Sequence, residues 1–229
     1  MKCNGLPLLL FLALSLSAHS QTQKEYNPER EILILKTCPG HMISGPIPLL
    51  TSAYGFLLET PLSKKTAIEL GFSEIGEGPA LYFIGKQLSQ PYHTISFLAK
   101  GVELQFACKY YFSKKKRLAP KGFYVAPLIQ FSTGGIGQTY NYMARNNYVG
   151  FTNCNINAIY GFQQIRKNGR GFVVDYYLGL GYKKITAERH YATGYPVPMD
   201  LSKDGYYGSP LSLVGGIYLG WGFSPKEKK

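Results

Sequence analysis

Charge is scarce in this 229-residue chain, and negative charge is scarcest. Asp, Glu, Lys and Arg make up 17% of it, against ~25% in ordinary soluble domains. Only 13 residues are acidic against 25 Lys and Arg, a formal balance of +12. After residue 21 no run of ~18 uncharged apolar residues occurs, which excludes helical membrane spans. Cysteine is scarce too. Beyond Cys3 there are Cys38, Cys108 and Cys154, an odd number that cannot pair fully and whose spacing suggests no disulfide framework. A Cys38–Cys154 bond stays open. What abounds is Tyr (19) and Gly (26), residues that suit strands and interfaces more than a solvated surface.

The N-terminus, "MKCNGLPLLLFLALSLSAHSQ", has Lys2, an apolar run from Leu6 to Leu16 and the small-x-small end Ala18-His19-Ser20. This predicts a secretory signal peptide over residues 1–20, cut before Gln21. The other reading, an anchoring helix, needs ~20 apolar residues, and the run has about half of that. Cys3 precedes the run, so it is no lipoprotein acylation site.

In "GFVVDYYLGLGYKK" every second residue is apolar: Phe172, Val174, Tyr176, Leu178, Leu180 and Tyr182 share one face, opposite Asp175, Gly179, Gly181 and Lys183. That is the period of a strand. The same alternation predicts eight strands, over 31–38, 49–60, 65–76, 99–112, 122–133, 153–164, 171–184 and 209–223. "PLSKK", "SKKKRLAPKG" and "RKNGRG" connect them on one side, while 77–98, 134–152 and 185–208 read as long loops on the other. An even strand number, short turns at one end and long loops at the other describe a transmembrane barrel. Tyr110, Phe112, Phe123, Phe162, Phe172, Trp221 and Phe223 fall beside the short turns on the apolar face, as an aromatic girdle would. Phe72, Phe131 and Tyr182 lie near the other ends. A soluble barrel would turn the same apolar face inward, so the direction of Phe172, Leu178, Leu213 and Leu219 decides between the two readings. The expected fold is all-β, an eight-stranded antiparallel up-and-down transmembrane β-barrel. It spans 31–223, after a periplasmic segment at 21–30 and before a basic periplasmic tail at 224–229.

"YGFLLETPLSKKTAIELGF", "VELQFACKYYFSKKKRLAPKGFYVAPLI" and "GRGFVVDYYLGLGYKK" carry a resemblance across nearly the whole mature chain. The sequence resembles a family of small Gram-negative outer-membrane β-barrels of uncharacterised function, similar in architecture to OmpW and the OmpA barrel. The resemblance implies a fold and an outer-membrane location, with barrel-assembly machinery as a partner in biogenesis. It transfers no mechanism. Two departures stand out: "SPKEKK" follows the last strand, and no peptidoglycan-binding domain follows it.

More than half of the basic residues sit on the predicted short turns and the tail. The turns hold Lys64, Lys65, Lys114, Lys115, Lys116, Arg117, Lys121, Arg166, Lys167 and Arg170. On a secreted chain these favour anionic lipid headgroups or an acidic periplasmic partner over nucleic acid, with a plain solvated rim as the simpler reading. Inward positions hold Lys36, Glu59, Glu69, Glu103, Lys109, Asp175 and Lys183. An eight-stranded barrel is just wide enough for side chains to fill, so a charge network plugging the lumen is expected rather than a pore lining. His41, His93 and His190, with Ser44, Ser89, Glu77 and Glu188, fall in the outward segments but form no triad spacing. Cys38 and His41 offer only two metal ligands. No enzyme activity, cofactor or metal is expected. The functional expectation is a structural or interaction protein with a non-conducting lumen, touching outer-membrane lipid and an envelope partner. OmpW-like transport of small apolar molecules is the first alternative and a lipid-modifying enzyme the second.

Overall fold

The computed structural model describes residues 32–39, 50–63, 65–88, 95–112, 120–140, 143–165, 171–190, 197–199 and 209–223. The expected signal peptide, the 21–30 segment and the tail lie outside the described residues. Among the described residues there are nine strands and one helix: β1 Leu33–Thr37, β2 Thr51–Pro61, β3 Thr66–Glu77, α1 Pro79–Leu88, β4 Ile95–Tyr111, β5 Gly122–Tyr140, β6 Met143–Ile165, β7 Gly171–His190, β8 Val197–Met199 and β9 Leu211–Phe223. Each of β1 to β7 pairs antiparallel with the next, β7 pairs with β9, and β9 closes on β1 through Leu33↔Phe223 to Thr37↔Leu219. The result is a closed eight-stranded antiparallel barrel, with β8 a three-residue strand on the end of β7. Closure leaves the ring without a free edge, a requirement for any sheet that sits in hydrocarbon. Among the described residues no helix is long and apolar enough to cross a membrane.

The apolar faces point outward. Leu178 is 64% exposed, Leu213 63% and Phe172 51%, and Leu219 shares their face. Inward positions on the same strands are closed off: Asp175 and Val173 are fully buried. An apolar belt wrapping a whole barrel far exceeds the patch a soluble monomer exposes. Along β7 the belt runs from Phe172 to Tyr182, ten residue steps or roughly 33 Å of strand. At the ~40° tilt of such barrels this is ~25 Å of height, the thickness of an outer-membrane apolar band. Lys184 on β7 and Lys100 on β4 mark the outward positions where the belt ends.

Both ring termini and the short turns share one rim. At that rim Gly122 and Gly171 take φ of 109° and 99°, the left-handed region that favours glycine, and each is followed by a girdle phenylalanine. In the β2–β3 turn the Leu62 amide donates to the Thr66 carbonyl (2.9 Å), and Ser63 Oγ accepts from the Lys65 and Thr66 amides.

The structure corrects the three long loops. Residues 134–140 and 143–152 are the continuation of β5 and β6, paired up to Tyr140↔Met143, with a register shift between Gly137 and Thr139. β7 runs on to His190, and 79–88 form α1. Above the lipid a hairpin needs no apolar face, only its ladder, so the alternation fades while the strand continues. Within β5, Pro127 has no amide hydrogen to give; β4–β5 pairing runs to Ala107↔Leu128 and resumes at Tyr110↔Val125.

Candidate functional site

The inward faces of β1, β2, β3, β4 and β7 bring five ionisable side chains to one level near the short-turn rim: Lys36, Glu59, Glu69, Lys109 and Asp175, all essentially without solvent exposure. The two ammonium groups share the same three carboxylate oxygens. Lys109 Nζ lies 3.1 Å from Glu59 Oε2, 2.9 Å from Glu69 Oε2 and 2.7 Å from Asp175 Oδ2. Lys36 Nζ pairs with the same Oε2 atoms of Glu59 and Glu69 and lies 2.9 Å from Asp175 Oδ2. Each ammonium has three donors, and each lysine meets three oxygens of the cage.

The remaining carboxylate oxygens receive neutral donors. The Tyr111 hydroxyl donates to Glu59 Oε1 (2.7 Å), and the Tyr124 hydroxyl to Asp175 Oδ1 (2.7 Å). Gln163 Nε2 also donates to Glu59 Oε1 (3.2 Å), and Gln105 Nε2 to Glu69 Oε1 (3.3 Å). Every carboxylate thus keeps both oxygens bonded, the condition under which charge survives burial. Two positive and three negative groups leave one negative charge, spread over a network held by four neutral donors. The Lys109 ammonium also stands 4.5 Å from the Tyr124 ring centre. Tyr124 reaches this position across Gly161, where a Cβ would lie 2.3 Å from its Cζ.

Glu59, Glu69 and Asp175 place one oxygen each within 4.8 Å of one another, the spacing of a cation site. Two lysine ammoniums already bridge that triangle, so the oxygens facing its centre are bonded by the chain itself. Below the cage Ile32, Ile34, Ile165 and Val173 form an apolar floor. Above it Leu57, Ala107, Ala126, Leu128, Ile159, Tyr177 and Tyr218 fill the tube. Near the outer mouth Ile75 and Phe151 pack with Leu50 and Ile136 as an apolar collar.

Two residues of the expected seven-member network lie elsewhere. Glu103 is six residues along β4 from Lys109, roughly 20 Å, and Lys183 is eight along β7 from Asp175, roughly 26 Å. Both are buried inside the barrel, in a higher tier. Tyr111, Tyr124, Gln105 and Gln163 were missed as members. Their inward parity was readable; that their polar atoms reach the acids was not.

The girdle residues all face outward. Tyr110, Phe112, Phe123, Phe172, Trp221 and Phe223 are exposed, and Phe162 is half-buried against Phe123, ring centres 4.8 Å apart. Phe72, Phe131 and Tyr182 are exposed near the other end of the belt. Among the basic turn residues, Lys65 lies 6.0 Å from the Tyr110 ring centre and Lys121 is half-buried. Lys64, Lys114, Lys115, Lys116, Arg117, Arg166, Lys167 and Arg170 lie outside the described residues, as do His41, His93, Ser44 and Ser89. His190 stacks on Tyr148 at 4.3 Å and stands 4.0 Å from Glu188, beyond the belt. Phe151, expected in a loop, is buried in the collar. No disulfide joins the three described cysteines; Cys38 points inward and Cys154 outward, so the Cys38–Cys154 bond does not form.

No protein-family model and no curated protein matches the chain. Among solved structures the chain is similar to CarO of Acinetobacter baumannii, with 12% identity over 88% of this chain and 100% of CarO, at a TM-score of 0.41. The membrane-barrel character rests on the closed register and the outward apolar belt described above.

Proposed function

We propose that this protein is an integral protein of a Gram-negative outer membrane with a structural or interaction role and a lumen that does not conduct ions. The observation that supports it is the Lys36–Lys109 cage, which fills the cross-section of a narrow barrel with side chains bonded to one another. In this reading the signal peptide is removed and the short-turn rim faces the periplasm with both termini. The basic turns then meet anionic headgroups or an acidic envelope partner. At the outer end α1 presents Tyr82 and Phe83, each 60% exposed, as contact surface for a partner.

Lateral transport of apolar molecules calls for a greasy upper lumen, and here that wall carries Gln130, Ser132, Asn153 and Asn157. No catalytic role is assigned.

Planar-bilayer recordings of the purified barrel test the closed lumen. The reading predicts no stable single-channel steps; ohmic steps at reproducible conductance would end it. Pull-down from native detergent extracts tests the interaction role: a defined envelope partner co-purifies, whereas recovery of the barrel alone at native levels counts against it. Mass spectrometry of lipid A from a deletion strain, unchanged from the parent, is the expected result for a protein without lipid-modifying activity.

A further inference from the structure

Above the cage the inner wall turns polar without pairing up. Asn153, Asn155 and Asn157 follow one another on the inward face of β6, and Ser132 is the register partner of Asn153 on β5. Ser132 Oγ, Asn153 Oδ1, Asn155 Oδ1 and both carboxamide atoms of Asn157 have no hydrogen-bond partner among the described residues. Yet Ser132, Asn153 and Asn157 are all at least 98% buried. A buried polar atom left unbonded bears the full cost of its lost hydration, so a dry wall of this composition would oppose folding at several points at once.

A second observation stands apart from those atoms. Across the lumen, at the foot of the same tier, a small cavity is lined by Cys38, Gly55, Leu57, Gly71, Ser73 and Gln105. Gln105 joins the two sides: its Oε1 accepts from Gln130 Nε2 at 3.5 Å, while its own Nε2 is committed to Tyr218 and the cage.

We propose that this tier is a water-binding chamber, a file of internal water running along Asn153, Asn155 and Asn157 and ending in the cavity beside Gln105, above the packed middle of the tube. Carboxamides donate and accept, so they hold water in either orientation. Residues two apart on a strand are ~7 Å apart, an interval that one bridging water with two hydrogen bonds nearly spans. The same spacing excludes a single metal ion: Asn153 and Asn157 are ~13 Å apart along β6, whereas ligands of one cation lie within ~5 Å of each other. The apolar collar closes the chamber to larger solutes, and the packed middle stops it short of the cage. Internal water at two to four polar partners is the ordinary way a protein satisfies such groups.

The test uses the refolded mature barrel in lipid nanodiscs, in a Ser132→Ala background that removes the nearest exchanging hydroxyl. Magnetisation transfer from water to the side-chain amide protons of Asn153 and Asn157 is read by NMR, with and without a gadolinium chelate too large to pass the collar. The chamber predicts water cross-peaks at both residues that persist with the chelate. Absence of cross-peaks overturns it, and so does their loss on adding chelate, which would mean open bulk solvent. Asn157→Leu gives an independent reading. In a dry wall it removes an unbonded amide and raises the midpoint of urea unfolding; in a hydrated one the midpoint stays or falls. A rise overturns the proposal.

Discussion

Lys109 holds three carboxylates by a single ammonium, so its loss strands acid in a sealed tube. Lys109→Met should destabilise the barrel by about 3–5 kcal/mol, the usual result of leaving a buried charge unpaired. Unfolding by urea in lipid vesicles measures it. Adding Asp175→Asn removes one of the stranded charges, and the double variant should cost less than the two single changes together. Additive costs would show that the two side chains do not share a network. Gly161 makes a different demand. Tyr124 lies across it, so Gly161→Val forces the ring away and breaks the Tyr124–Asp175 bond. About 1–3 kcal/mol of destabilisation is expected from the overpacking alone, and a variant as stable as the parent would contradict the placement of that ring.

β7 shows what a strand's sequence discloses and what it hides. Its six outward residues, from Phe172 to Tyr182, could be read from the period of two, because a belt in hydrocarbon forces apolar side chains onto every second position. Its continuation to His190 could not, since beyond the lipid nothing enforces the alternation. β5 and β6 ran further than expected for the same reason, carried by backbone pairing that leaves no mark on side-chain type. α1 was hidden among "PALYFIGKQL", too short a stretch for helical periodicity to separate from a loop. Parity also told which charges face inward but not how high each sits, because height depends on strand tilt and stagger. That is why Glu103 and Lys183 were grouped with a cage they stand above. Depth can be tested on this strand. Leu178→Arg, at mid-belt, should cost about 2–4 kcal/mol, and Tyr182→Arg, at its outer end, about 0–1 kcal/mol. Equal costs at the two positions would contradict the depth assigned to them.

The whole molecule depends on a single orientation: the apolar half of each strand outside, acids, lysines, amides and glycines inside. Closure through β9 and β1 removes the free edge, and the tiers of floor, cage, packed middle, polar wall and collar fill the tube. The chain holds one tryptophan, Trp221, outward and 53% exposed in the girdle beside the short-turn rim. It is therefore a built-in probe of which phase the belt meets. The decisive measurement is quenching of its fluorescence in vesicles by lipids brominated at different depths of the acyl chain. The account predicts strong quenching that is greatest for bromine near the headgroup end and falls toward the bilayer centre. Fluorescence untouched by brominated lipid at every depth would mean that Trp221 and its belt do not face hydrocarbon.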